Sequence, residues 1–255
     1  MLDLLDLLHH GSRPHRPELD AERDHKAIMR RAFNRDFAVE IRLGAALALF
    51  RVFAIPRLSA VLARTGAWEQ GPSTRLERTV ELLTTLIEDG YDGPRGAAAL
   101  ARINAAHAGC RIANDDMLYV LTTFVTEPAR VIDRHGPRPL TPALRESACR
   151  FWREVGLRMG IRDIPTSFAA MDGLAREYEA MHRYCADSNR RVAAGALTAI
   201  TRLVPAPLAG LGAQVVCALL EAPVREACGL PDAPRALAWA LGGFTAARRV
   251  IAAPS

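Results

Sequence analysis

Residues 99–119 read "ALARINAAHAGCRIANDDMLY", and this stretch indicates both the fold class and a candidate site. Alanine, leucine and arginine are strong helix formers, and the apolar residues of the stretch recur at helical spacing. One histidine, His107, stands among small residues: Ala105, Ala106, Ala108 and Gly109. The stretch therefore predicts a helix that carries an imidazole with free space beside it.

The rest of the chain has the same helical character. Of its 255 residues, 50% are hydrophobic, which is enough to bury a sizeable core. The sequence contains no recognisable strand pair or internal repeat. We therefore expect an all-α protein, a single-domain bundle of about ten helices over residues 20–255. A mobile N-terminal lead-in at 1–19, rich in proline and arginine, is expected to precede it.

Hydrophobic periodicity and helix punctuation predict the individual helices. They are expected at 20–34, 40–64, 73–89, 95–111, 115–126, 128–135, 142–160, 167–185, 190–203, 207–228 and 233–250. The start signals are a capping box of Thr74 and Glu77, prolines at 94 and 142, Thr141 as a cap, and the capping and acidic residues of "NDD" at 114–116.

Charge and cysteine content exclude several classes of protein. The formal charge is +5, but Lys26 is the only lysine and the arginines are scattered, so we expect no nucleic-acid partner. The five cysteines form no CxxC pair or zinc spacing, and they are expected to be small buried residues of a reducing compartment.

The apolar segments argue for a cytoplasmic protein. The N-terminus "MLDLLDLLHHG" has acidic residues where a signal peptide requires basic ones. The most apolar stretch, 192–220, is interrupted by Arg202, Pro205 and Pro207 before it reaches the roughly 20 residues of a membrane span. It predicts two core helices or an apolar surface that makes peripheral contact with a membrane.

A second group of candidate site residues lies in "RLERT" at 75–79. Arg75, Arg78 and Thr79 stand at positions i, i+3 and i+4, so they share one face of the predicted helix at 73–89. Leucines that follow on this helix bring that face close to the core. The alternative is a solvated or salt-bridged helix start, which is the usual environment of arginine.

His107 also has two interpretations. A lone histidine on an apolar helix is commonly a core residue with its hydrogen bonds satisfied. One histidine cannot hold a zinc or di-iron ion, and no second ligand cluster appears in the sequence. A macrocycle such as haem supplies four nitrogens itself, so a single protein ligand suffices there. Cys110, close by, is the rival ligand.

Three ordered segments resemble a known family. They read "TGAWEQGPSTRLERTVELL", "ALARINAAHAGCRIANDDMLYVLTTFVTEPARVIDRHGPRPLT" and "FWREVGLRMGIRDIPTSFAAMDGLAREYEAMH". Together they are similar to the catalytic domain shared by rubber oxygenases (latex-clearing proteins) and the fungal MpaB oxygenases. The likeness covers roughly residues 25–185 and is greatest to the MpaB branch, in which "H…NDDMLY", "EPAR" and "IP.S" occur in that order.

The resemblance implies a helical fold that encloses one b-type haem. His107 matches the axial iron ligand, and Arg75 and Thr79 match an arginine and a threonine near the haem. Rubber oxygenases have a lysine at the position of Arg78, and arginine cannot lose its proton to ligate iron. Asn104, one turn before His107, is expected to lie beside the cofactor.

The implied activity is oxidative cleavage of a carbon–carbon double bond in an isoprenoid-like or other apolar small molecule, with dioxygen as co-substrate. Catalytic roles then fall on Arg75, Arg78 and Thr79, and the haem iron on His107. Two alternatives stay open: a haem-binding accessory protein without oxygenase activity, and a haem-free helical scaffold of a biosynthetic pathway. The sequence makes no prediction of oligomeric state.

Overall fold

A computed structural model describes residues 20–252, so the predicted lead-in at 1–19 lies outside the described residues. The described part of the chain is helical and has no strand, which confirms the predicted fold class. Its thirteen α-helices are α1 His25–Arg31, α2 Ala38–Phe53, α3 Pro56–Arg64, α4 Ala67–Gln70, α5 Pro72–Asp89, α6 Pro94–Ala108, α7 Asn114–His135, α8 Pro142–Arg158, α9 Phe168–His182, α10 Asp187–Thr201, α11 Ala209–Leu219, α12 Ala222–Ala227 and α13 Arg235–Ala252. A π-helical turn at Ala32–Asp36 precedes α2, and a 3₁₀ turn at Ala206–Leu208 precedes α11.

Helices α2 and α7 make the most extensive helix–helix contact of the described fold. A Cβ atom added to Gly44 of α2 would lie 2.4 Å from the Cα atom of Pro128 of α7, so glycine is required for this approach. Pro128 was expected to separate two helices, and that prediction is wrong: α7 runs through it without a break. The buried residues on either side, among them Val125 and Ile132, hold the helix against its neighbours and outweigh the backbone hydrogen bond that proline removes.

Two other predicted helices are divided by proline. The one at 40–64 splits into α2 and α3, which are bent by 97°, because Ile55 before Pro56 has an extended backbone. The one at 207–228 splits at Leu220, which is also extended, and Pro223 then lies in the first turn of α12. These divisions, with the short helix α4, explain why the helices outnumber the predicted ten.

The predicted start signals have mixed outcomes. Thr141 caps α8, since its hydroxyl accepts a hydrogen bond from Leu144 N at 3.3 Å, and prolines begin α6 and α8 as expected. The capping box of Thr74 and Glu77 is wrong, because α5 already begins at Pro72 after Gly71. The cap expected from "NDD" is also wrong: α7 has Ala113 at its N-cap and no side-chain cap, although two aspartates lie in its first turn as predicted.

Large apolar clusters fill the interior. One joins α1, α5, α7 and α8, and another joins α2, α10, α11 and α12. Cys149, Cys217 and Cys228 are buried as predicted, whereas Cys185 is exposed and Cys110 half-buried, contrary to the prediction. No single helix in residues 20–252 is long and apolar enough to cross a membrane; α2 and α3 pass that test of length and composition only as a bent pair.

Candidate functional site

The end of α6 presents His107 in a defined orientation. Its Nδ1 lies 2.8 Å from the carbonyl oxygen of Ile103, one turn earlier. A carbonyl only accepts hydrogen bonds, so Nδ1 carries the proton and donates it. The other nitrogen, Nε2, has no hydrogen-bond partner within residues 20–252, and in the neutral ring it holds a lone pair. This is the tautomer in which a histidine binds a metal through Nε2.

A cavity of about 390 Å³ adjoins this imidazole. The end of α6, the loop at 109–113, the start of α7 and the loop after α8 form its wall. Its apolar lining comes from Ile112, Met117, Met159 and Ile161, and its polar lining from Asn104, His107, Asn114 and Arg162. The volume falls within the usual range for small-molecule sites. His107 is half-buried at this cavity, which argues against the alternative of a core histidine.

The small residues beside His107 leave the space that the sequence predicted. Ala108 lines the cavity, and Ala105 and Ala106 are exposed. A Cβ atom added to Gly109 would meet no other atom within 4 Å. The surroundings of the imidazole are therefore open to a broad ligand.

Two asparagines hold the cavity wall together. The Nδ2 atom of Asn104 donates to the carbonyl of Arg158 at 3.1 Å, which ties α6 to the end of α8. Asn114 bonds the backbone of Arg162 on both sides: its Oδ1 accepts from the amide at 2.9 Å and its Nδ2 donates to the carbonyl at 3.3 Å. Asn104 thus lies at the cavity as predicted, in a positioning role.

The predicted residues of α5 lie on the helix that packs against α6. Thr79 donates its hydroxyl to the carbonyl of Arg75 at 2.9 Å, and Arg78 is exposed. Arg75 is half-buried, and burial followed by the nearby charge of Arg78 lowers its pKa below the ordinary value for arginine. Cys110, a lining residue of the cavity, is close enough to act on the same pKa in the opposite direction. None of the three is among the residues that line the cavity beside His107.

A second polar centre, which the sequence analysis missed, lies inside the helical core. Arg51 of α2 is only 3% exposed and binds three carboxylates. Its guanidinium lies 2.5 Å from Glu127, 3.0 Å from Glu179 and 2.8 Å from Glu221. The Tyr119 hydroxyl donates to Glu179 at 3.1 Å and to the carbonyl of Arg51 at 3.2 Å. Burial alone lowers the pKa of Arg51, but the three carboxylates outweigh it and raise the pKa above its ordinary value.

This network explains two of the motifs in the sequence. In "EPAR" at 127–130, Arg130 joins Glu127 at 3.2 Å to Asp172 at 2.5 Å. In "NDDMLY", Asp116 is buried and accepts hydrogen bonds from Tyr178 and from Arg57, the latter at 3.1 Å, whereas Asp115 is exposed. The acids of these motifs were visible in the sequence. Their partners were not, since Arg51 is 128 positions from Glu179.

Comparisons with known proteins confirm the resemblance that the sequence indicated. Residues 36–253 match the family model described as "ER-bound oxygenase mpaB/B'/Rubber oxygenase, catalytic domain". The chain is 27% identical over 199 residues to the ER-bound oxygenase mpaB of Penicillium roqueforti (strain FM164), covering 71% of this chain and 66% of that protein. It is 27% identical over 206 residues to the ER-bound oxygenase mpaB' of Penicillium brevicompactum, covering 73% and 48%. The match thus spans about half to two-thirds of the length of these curated relatives.

Proposed function

We propose, on the premise that this chain belongs to the mpaB and rubber oxygenase catalytic-domain family, that it is a haem-dependent oxygenase with His107 as the axial ligand. The reaction we propose is dioxygen-dependent cleavage of a carbon–carbon double bond in an isoprenoid-like or other apolar small molecule. One observation carries the assignment: an imidazole at a cavity of about 390 Å³ has its Nδ1 bonded to a carbonyl, and its Nε2 has no partner within residues 20–252.

The residues present fit a b-type haem. The porphyrin needs one protein ligand, so a single histidine suffices. Cys110, the rival ligand, also lines the cavity, but its thiol donates to the carbonyl of Ala106 at 3.8 Å. Within residues 20–252, no three or more histidine, cysteine or acidic side chains group together as a metal site would require. When bound, haem would supply the binding and activation of dioxygen.

The side chains around His107 then act by positioning. The carbonyl of Ile103 fixes the proton on Nδ1, which leaves the lone pair of Nε2 for a ligand. Asn104 and Asn114 keep α6, α7 and the loop after α8 at a fixed separation. Thr79 donates its hydroxyl to the backbone of Arg75 on α5, the helix that packs against α6. Arg78 is exposed and always protonated, so it contributes charge and no ligand to iron.

The lining of the cavity supports an apolar substrate. Methionine side chains, here Met117 and Met159, adapt to irregular apolar molecules, and Ile112 and Ile161 exclude water. An apolar molecule placed against these side chains is held by apolar contact, and the polar lining groups fix its orientation.

The products of the reaction test the activity. Haem-loaded protein is incubated with a short polyprenyl alkene under isotopically labelled dioxygen, and the products are analysed by mass spectrometry. Cleavage places one labelled oxygen atom in each of two carbonyl fragments. A hydroxylated product with an intact alkene contradicts the cleavage chemistry, and haem binding without any product favours the accessory-protein alternative. His107→Ala should form no cleavage product. His182→Ala, at a half-buried histidine outside the cavity lining, is the control and should retain the activity.

We further propose peripheral contact with a membrane through the predicted segment at 192–220. Leu203, Leu208 and Leu211 are exposed there, Leu203 at 73%, and Trp239 of the adjacent α13 is 83% exposed. Such side chains insert at the boundary between headgroups and acyl chains, and the two relatives carry "ER-bound" in their names.

Flotation with phosphatidylcholine vesicles tests this contact. The parent protein should float with the vesicles, and the double variant Leu208→Ser with Leu211→Ser should float less; equal flotation of both forms contradicts the proposal. The cytoplasmic location stays a prediction.

A further inference from the structure

A second cavity lies inside the helical core and shares no lining residue with the cavity beside His107. Its volume is about 60 Å³. The buried apolar side chains of its wall are Met29, Phe33, Ile41, Ile87, Val125, Pro128, Ala129, Ile132, Leu140, Leu144 and Trp152. The half-buried apolar ones are Ala45, Leu83, Phe124, Ala148 and Phe168. We call the two spaces the apolar cavity and the His107 cavity.

Arg145 is the one polar side chain among the lining residues of the apolar cavity, and its charge is already neutralised. Its guanidinium forms an ion pair with Asp133 and lies over the ring of Phe168, 4.8 Å from the ring centre. A buried water needs roughly two to four polar partners. Beyond Arg145, the side chains that line the cavity within residues 20–252 supply none. The apolar cavity therefore suits an apolar molecule better than water.

The size of the apolar cavity selects a very small molecule. An engineered apolar cavity of roughly 150 Å³ binds benzene or xenon. The apolar cavity, at about 60 Å³, has less than half that volume, so it is too small for a polyprenyl substrate and large enough for a diatomic gas. Dioxygen is such a molecule, because it is uncharged and dissolves better in apolar surroundings than in water.

Helices α7 and α8 run from one cavity to the other. On α7, Met117 lines the His107 cavity and Phe124 lines the apolar cavity. On α8, Met159 lines the first and Trp152 the second, so the two helices are antiparallel along their shared seam. Either pair of positions is about two helical turns apart, which is roughly 10 Å. All four side chains belong to one apolar cluster or pack against it.

Leu121 of α7 and Gly156 of α8 meet midway along this seam. A Cβ atom added to Gly156 would lie 2.5 Å from the Cδ2 atom of Leu121 and 2.7 Å from the Cδ1 atom of Ile164. Both of these atoms are terminal methyl groups, which a change of rotamer displaces, and side chains in packed cores do change rotamer. With glycine at this position, a small apolar molecule can pass along the seam without movement of the helices.

We propose that the apolar cavity binds dioxygen and that the seam between α7 and α8 conducts it to the His107 cavity, with Gly156 at the narrow point. The inference rests on the proposed function, in which dioxygen is the co-substrate. It adds a site at which dioxygen collects and a route by which it reaches the imidazole.

Paramagnetic relaxation by dioxygen itself tests the apolar cavity. Methyl relaxation is measured by NMR on the purified chain without haem, under argon and under dioxygen pressure. Dioxygen should enhance relaxation at the methyls of Val125 and Ile132, which line the apolar cavity. The methyls of Leu47 and Val192 are comparably buried in another apolar cluster, away from the cavity lining, and should show much less enhancement.

Two variants should fill the apolar cavity. Ala45→Leu on α2 and Ala148→Leu on α8 add bulk at half-buried lining positions on different helices, so each should lose the enhancement at Val125 and Ile132. Ala143→Leu, at an exposed position of α8 outside both cavity linings, is the matched control and should retain it. Circular dichroism verifies that each variant is folded.

Gly156→Ala tests the route, because its methyl group narrows the seam at Leu121. In the haem-loaded protein the KM for dioxygen should rise, while kcat and the KM for the alkene stay unchanged; a general loss of structure would alter all three. Gly173→Ala in α9 is the control, since an added Cβ there would meet no atom of residues 20–252 within 4 Å beyond the neighbouring helix backbone.

The outcomes separate this inference from the proposed function. Equal enhancement at the two pairs of methyls, or an enhancement that survives both filling variants, overturns the dioxygen site. A KM for dioxygen that is the same in Gly156→Ala and the parent overturns the route. If the chain binds no haem, the proposed function is wrong, whereas the relaxation measurement on the haem-free chain still decides whether the apolar cavity holds dioxygen.

Discussion

Two arginines in this molecule, Arg51 and Arg75, have opposite electrostatic surroundings. Arg51 is buried in the core, and three carboxylates surround it at 2.5–3.0 Å. Arg75 of α5 is half-buried, has no carboxylate partner within residues 20–252 and is affected by the nearby charge of Arg78. Carboxylates of the chain thus neutralise the guanidinium charge of Arg51, whereas the guanidinium charge of Arg75 has no counter-ion within residues 20–252.

This difference distinguishes a structural ion-pair network from groups that are available to a ligand. The carboxylates on Arg51 come from α7, from α9 and from the residue before α12, so the network joins distant parts of the fold. Its groups are satisfied internally and need no ligand. Within residues 20–252, by contrast, Nε2 of His107 at the cavity and the guanidinium of Arg75 on α5 have no partner, and both are groups that a ligand satisfies.

The largest effect is expected from Arg51→Met. Removal of this cation leaves the buried Glu127 and Glu179, and the half-exposed Glu221, without their shared partner. Breaking one side of a buried ion pair costs about 3–5 kcal/mol. Urea unfolding measures the free energy directly. A loss below about 1 kcal/mol would mean that the network does not hold the helices together.

Gly44→Ala should have the next largest effect, because it disturbs the approach of α2 to α7, the helices that carry Arg51 and Glu127. The added Cβ would lie 2.4 Å from backbone of Pro128, so the helices must separate, at about 1–3 kcal/mol. Gly173→Ala in α9 is the matched control, since apart from the neighbouring helix backbone no atom of residues 20–252 would lie within 4 Å of its Cβ. There the better helix propensity of alanine should leave stability equal or higher by up to about 1 kcal/mol. Equal effects at both positions would contradict the close approach.

Acid should weaken the network through Glu221. Burial raises the pKa of this carboxyl, but Arg51 and other arginines outweigh burial and lower the pKa below 4.5. A carboxyl with a depressed folded-state pKa stabilises the fold above its unfolded value, and this contribution is lost as the pH falls through the folded value. Glu221→Gln should therefore be less stable than the parent at pH 7 and lose less stability on acidification to about pH 3. Parallel stability curves would exclude Glu221 from the network.

The smallest effect is expected from Arg75→Met, the counterpart of the first change. The guanidinium of this arginine has no partner within residues 20–252, so the free energy of unfolding without ligand should stay within about 1 kcal/mol of the parent, or rise. A loss of unfolding free energy comparable to that of Arg51→Met would show that Arg75 is a structural residue. The two arginines would then not differ in role.

The helices could be predicted from the sequence because their periodicity and propensity are local. Their ends were less predictable, as Pro56 and Pro128 illustrate. Both are prolines in apolar stretches. Pro56 divides a predicted helix, whereas Pro128 lies inside α7, where it packs against Gly44 of α2. His107, Asn104 and Arg75 were visible as unusual residues or through the resemblance. Arg162 was missed because its place in the wall depends on Asn114, 48 positions away.

The axial role of His107 is the central claim, and ligand rescue tests it most directly. His107→Gly is purified and titrated with haem, and absorption spectra are recorded before and after addition of free imidazole. We expect the parent to bind one haem with the spectrum of a histidine ligand, the variant to lose that spectrum, and imidazole to restore it in the variant alone. A His107→Gly protein that binds haem as tightly as the parent, with the same spectrum and no response to imidazole, would contradict the account.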